Sequence, residues 1–212
     1  MTHIRSQQPD VVSRLATLGL SESELAQAVT RGLLARSECT PNHPPLHAGF
    51  VTWSNTVCAL REILLLKGWE RSDEGNYSVV IHPSRSFAIA VATGDENTGN
   101  PNANPMTKSP KGPSTRSAVA VNFSQAWLFS ELMPVLPEHE EKGRLTWLLL
   151  IGHAGGKIKA ELSLPINCEG KVNGWKERLI LPDLEIDPNS SISVSPLFPS
   201  LPDIEIDVRR KA

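Results

Sequence analysis

The chain has 212 residues, 21% charged and 40% hydrophobic, with a formal net charge of −2. That balance describes a globular chain long enough to bury a proper core and excludes a uniformly basic nucleic-acid coat. Cys39, Cys58 and Cys168 are too few and too widely spaced for a disulfide framework. The N-terminal MTHIRSQQPD lacks the apolar stretch of a secretory leader. The runs ILLL at 63–66 and WLLLI at 147–151 are too short to cross a bilayer. The expected setting is the cytoplasm of a bacterium, without membrane contact.

In chain order the first third reads as helical. Val11, Val12, Leu15 and Leu18 recur near helical spacing, and Gly19 breaks the run. Ser21 and Glu24 form a capping box for a helix that ends near Ser37. TPNHPP at 40–45 stops any helix, because proline lacks an N–H and restricts its predecessor. A second long helix is predicted over 48–67, with Trp53, Val57, Leu60 and Leu64 on one face and Gly68 at its end. The period then changes. YSVVIHP at 77–83 and SFAIAVATG at 86–94 read as a hairpin across PSR. SAVAVNF at 117–123 reads as a third strand, and 124–133 as a short helix capped by Ser124. A second hairpin is predicted from 146–153 and 157–166 across Gly155-Gly156, then a strand over 175–182 after an Asn173-Gly174 turn. LPDLEID at 181–187 returns as LPDIEID at 201–207, which fits two similar strands better than a solenoid. The expected fold is α+β: an N-terminal helical hairpin and a long helix packed on a mainly antiparallel sheet. The expected organisation is a helical segment over 1–46, then an α+β domain over 47–212 with a long 94–117 loop and an acidic strand tail.

The long loop is the first candidate for function, since connections of this length tend to be functional or disordered. From Asn97 to Ser130 there is no acidic residue, whereas Lys108, Lys111 and Arg116 are basic. Thr107, Ser109, Ser114 and Thr115 add hydroxyls, and Gly112 permits close approach of the backbone. These residues suit contact with an anion or a partner. TKSPKGPST is not a phosphate-binding P-loop, because the glycine-lysine pattern is missing and its prolines remove N–H donors. The plain alternative is a polar tether with its lysines in water.

VSRLATLGLSESELAQAVTRGL resembles a helix-turn-helix of the bacterial repressor kind, with Leu15, Gly19 and Leu25 at the characteristic positions and Ser21 capping the second helix. The resemblance covers about a tenth of the chain and implies DNA contact through the second helix. Glu22 and Glu24 depart from it, because phosphate would repel them. The alternative is a plain helical hairpin.

Cys39, His43 and His47, with Cys58 downstream, are residue types that bind zinc, although the paired C-x2-C spacing is missing. Asp183, Glu185 and Asp187, and again Asp203, Glu205 and Asp207, would share one face of a strand and could hold Mg²⁺ or Ca²⁺ beside Lys157 or Lys159. Alternating charged and aliphatic residues equally describe a solvated edge. Asp95 and Glu96 end a strand just before the long loop. No nucleophile, zinc-protease or dinucleotide motif occurs, so no catalytic residue, metal ligand or cofactor is assigned.

The leading expectation is a non-enzymatic binding or accessory protein. Its basic loop (Thr107, Lys108, Lys111, Gly112, Ser114, Thr115 and Arg116) and acidic C-terminal segment would contact a protein partner or a second copy. A DNA-binding regulator is the second expectation. A metal-dependent hydrolase or nuclease on the tail carboxylates is the third.

Overall fold

A computed structural model describes residues 2–131, 143–154 and 157–184. Strand β1 (His3–Arg5) leads into helices α1 (Gln8–Thr17), α2 (Glu22–Ser37) and α3 (His47–Leu65). Strands β2 (Glu70–Ser72), β3 (Val79–Ile81) and β4 (Phe87–Thr93) follow, then helix α4 (Pro113–Glu131) and strands β5 (Leu145–Ala154), β6 (Lys157–Glu169) and β7 (Lys171–Ile180). The strands form one sheet in the order β1-β7-β6-β5-β4-β3-β2. The fold is α+β, but the sheet is mixed rather than mainly antiparallel. β1 runs parallel to β7 and β4 runs parallel to β5, while the other neighbours are antiparallel.

The start of α2 follows from its sequence. Ser21 Oγ accepts from the Glu24 backbone N–H and Glu24 reaches back to the Ser21 N–H, so the capping box forms. Lys67 Nζ donates to the Gly19 carbonyl at 2.6 Å and to Glu24, tying the α1–α2 turn to the end of α3. Gly19 and Gly68, with φ of +68° and +80°, supply the left-handed residues at these two helix ends.

Phe87 to Ala92 of β4 and Trp147 to Ile151 of β5 are apolar without interruption because both faces are covered. On one face Ile89, Val91, Trp147, Leu149 and Ile151 join Val11, Leu15, Leu25, Val29, Leu60 and Leu64 of the first three helices. On the other, Ala88, Ala90, Ala92, Leu148 and Leu150 meet Val119 of α4 and Trp175.

Two sequence expectations are corrected here. Residues 117–123 are not a strand but the middle of α4, which starts at Pro113 and continues to Glu131. Proline suits the first helical position, where its missing N–H would have had no partner. Ser124 therefore caps nothing; its hydroxyl donates to the Ala120 carbonyl one turn back. Asn122, fully buried, ties this helix to the sheet. It donates to the carbonyls of Thr146 and Pro165 and accepts from the Thr146 N–H, all at 2.8 Å. It thus serves backbone groups beyond the last β5–β6 pair, Leu148 with Ser163. Second, Asn173-Gly174 lies inside β7 and is not a turn before it. The chain reverses at Gly170, φ +79°, between Glu169 and Lys171.

Candidate binding cleft

β4, the loop after it, α4 and β5 form a parallel β-α-β crossover. In sheets with parallel strands, ligands bind in crevices beyond the carboxyl ends of such strands. Ligand sites typically enclose about 300–1,000 Å³, and a cavity of ≈ 730 Å³ opens at that place. Its floor is the end of β4 and β5: Thr93, Gly94, Ile151, Gly152 and His153. One wall is α2 and the start of α3, through Leu33, Arg36, Leu46 and Phe50. The other wall is Asp95, Glu96, Lys108, Ser109 and Lys171.

The loop wall is built and not a free tether. Its anchor is an ion pair that sequence reasoning missed. Arg178 on β7 and Glu161 on β6 are 1% and 0% exposed, and Arg178 Nη2 lies 2.6 Å from Glu161 Oε2. The pair is fully used. Arg178 donates from Nε to Glu161 Oε1 at 3.0 Å, from Nη1 to the Ala103 carbonyl at 2.7 Å and from Nη2 to the Asn100 carbonyl at 3.1 Å. Glu161 also accepts from the Gly99 N–H at 2.9 Å and from Ser163 Oγ at 2.7 Å. Two buried charges are tolerated because each finds partners. Further along, the Trp175 indole donates to the Pro105 carbonyl and Asn104 Nδ2 to the Asn173 carbonyl. Thr107 exchanges two bonds with Val172, and the N–H groups of Lys108 and Lys111 bond to the carbonyls of Thr93 and Gly170. Gly152 gives the loop room: a Cβ there would stand 2.5 Å from Thr98 Cβ and 2.7 Å from the Asp95 carbonyl oxygen.

These contacts separate the residues that the sequence grouped. Lys108 is exposed and lines the cleft. Thr107 is buried and ties the loop to β7. Lys111, Gly112, Ser114, Thr115 and Arg116 lead into α4 or form its first turn. There Thr115 is buried and Ser114 Oγ donates to the Gly75 carbonyl. Burial lowers the Lys111 ammonium pKa, a shift that the nearby Cys168 opposes. Burial likewise pushes the Cys168 thiol up, against the pull of Arg116 and Lys111.

Within the cleft the charges do not cancel. Arg36, Lys108 and Lys171 face Asp95 and Glu96. Asp95 is occupied, accepting from the backbone N–H and side-chain amide of Asn97. None of the ion pairs among the described residues uses Arg36, Lys108 or Lys171. Leu46 and Phe50 stand on the rim 85% and 61% exposed.

The other candidate groups are placed as follows. Glu24 is held by Lys67 as well as by its cap, and Glu22 accepts from Gln8 Nε2. α2 buries Leu25, Ala28, Val29, Gly32 and Leu33. His43 and His47 stack at 4.4 Å, Cys39 Sγ donates to the Ala35 carbonyl, and exposed Cys58 donates to Glu62. No group of three or more His, Cys, Asp or Glu that could hold a metal occurs among the described residues. Of the tail carboxylates only Asp183 is described. Its hydrogen bond with Lys159, and then that with Lys157, hold its pKa below the ordinary range. Glu185, Asp187, Asp203, Glu205 and Asp207 lie outside the described residues. No described helix is long and apolar enough to cross a membrane.

No protein-family model matches the chain, and no curated protein or solved structure matches it significantly.

Proposed function

We propose that the chain is a binding or accessory protein that receives an acidic, apolar-flanked segment of a protein partner in the cleft beyond β4 and β5. The observation that carries this reading is three cations without ion-pair partners among the described residues, beside an exposed apolar rim, at the carboxyl ends of parallel strands. Lys108, Lys171 and Arg36 would take carboxylates, and Leu46 and Phe50 would cover aliphatic side chains. Because the loop wall is anchored through Arg178, the lysine comes pre-positioned and little ordering cost falls on binding. The acidic C-terminal segment would supply the opposite-sign surface of the same protein.

The test is fluorescence anisotropy of labelled peptides that alternate Asp or Glu with Leu or Ile. Saturable binding is expected, weakening with salt, and about tenfold or more weaker in Lys108→Glu/Lys171→Glu. Equal binding by the double variant would refute the cleft as the receiving surface.

A further inference from the structure

We propose that the cleft receives residues 201–207 of a second copy of the chain. This rests on the reading of the cleft as a receptor for acidic, apolar segments.

The motif occurs twice, as LPDLEID at 181–187 and LPDIEID at 201–207. The seat of the first copy shows what the motif does. Leu181 is buried and its N–H donates to the Ala160 carbonyl at 3.0 Å. The Leu184 N–H donates to the Ile158 carbonyl at 3.1 Å, and its side chain packs against the main core. Asp183 reaches two lysines on β6, Lys157 at 3.2 Å and Lys159. The recognised chemistry is therefore an aspartate between two ammonium groups, flanked by aliphatic side chains.

Residues 201–204 repeat these elements, with Ile204 in place of leucine. They lie outside the described residues, but the first seat is filled by residues 181–184 of the same chain. The cleft also offers two lysines beside apolar surface. Lys108 and Lys171 both line it, and Leu46 and Phe50 supply apolar cover. The segment also carries Glu205 and Asp207, so its three carboxylates would enter a cleft whose three cations outnumber Asp95 and Glu96. A segment of the same chain would close the cleft at every concentration. A segment from a second copy leaves the dilute chain open to a partner, as the proposed function requires.

Sedimentation velocity on the full chain over a wide concentration range tests this. Reversible self-association is expected, about tenfold or more weaker in Lys108→Glu/Lys171→Glu and in Asp203→Lys/Glu205→Lys/Asp207→Lys. Mixing the two variants should restore association, because each then contributes one intact surface; this also shows that both are folded. A chain that stays monomeric throughout overturns the proposal, as does association that neither variant weakens. Amide shifts in the cleft of the dilute monomer on reversing the tail charges would place the segment in its own chain and overturn it too. Acidic peptides binding the cleft of a chain that does not self-associate would sink this inference alone. Failure of those peptides as well would sink the cleft reading with it.

Discussion

Removing Arg178 alone should cost about as much as removing both members of its ion pair. Arg178→Met leaves the Glu161 carboxylate buried without its cation and strips donors from the Asn100 and Ala103 carbonyls. Breaking a buried pair from one side costs about 3–5 kcal/mol. Glu161→Leu/Arg178→Met removes both charges and keeps roughly the volume. It still strands the Gly99 N–H, the Ser163 hydroxyl and the two loop carbonyls, at about 1–3 kcal/mol for each group that water cannot reach. The two carbonyls are stranded in both variants, and the double variant exchanges the uncompensated charge for two neutral orphans. It should therefore lose about as much as Arg178→Met and not the sum of the single losses, and a cycle including Glu161→Leu should give a coupling of about 2 kcal/mol or more. Urea unfolding measures the stabilities. Amide hydrogen exchange gives a second reading: protection at Gly99, Lys108 and Lys111 should fall in Arg178→Met before that of β4 and β5. A loss under about 1 kcal/mol, or stabilities that simply add, would refute the pair as the anchor of the loop.

Two other perturbations have definite signs. Gly152→Ala should destabilise by about 1–3 kcal/mol through overpacking against Thr98 and the Asp95 carbonyl. Gly49→Ala, where a Cβ meets nothing within 4 Å, should be neutral or stabilising; thermal melts that rank the two the other way would contradict the packing. Burial alone would raise the Glu177 pKa, but hydrogen bonds from Arg14 and Arg5 outweigh it and the net shift is downward. A lowered folded-state pKa means stability that is present above the ordinary carboxylate range and lost as pH falls through the folded value. Glu177→Gln should therefore flatten the acid limb between about pH 5 and pH 2. An unchanged limb in urea midpoints would rule this out.

The elements readable from the sequence were those whose signals are local. The Ser21–Glu24 box, the 3.6-residue spacing in α3 and the short apolar runs of β3 and β4 each depend on residues a few positions apart. α4 was misread because Ala118-Val119-Ala120-Val121 imitates a strand by chance. The helical evidence was Pro113 at its start and the spacing of Val119 and Asn122, whose partners are on β5 and β6. β1 and β2, three residues each, have no period to read and exist through their neighbours β7 and β3. At the site, Lys108, Asp95 and Glu96 could be singled out by charge and position. Arg36, Lys171, Leu46 and Phe50 could not, because only the fold brings them to one cleft. Glu161 and Arg178 looked like ordinary charges in alternating strands. Nothing in the sequence marked them as the buried pair that orders the loop.

The most direct measurement is an amide chemical-shift titration of the full chain with an acidic, leucine-bearing peptide. The account predicts shifts at Thr93 to Glu96, Lys108, Ser109 and Ile151 to His153, the ends of β4 and β5 and the wall beside them. Shifts confined to the first turn of α2 or α4, with the cleft silent, would contradict it.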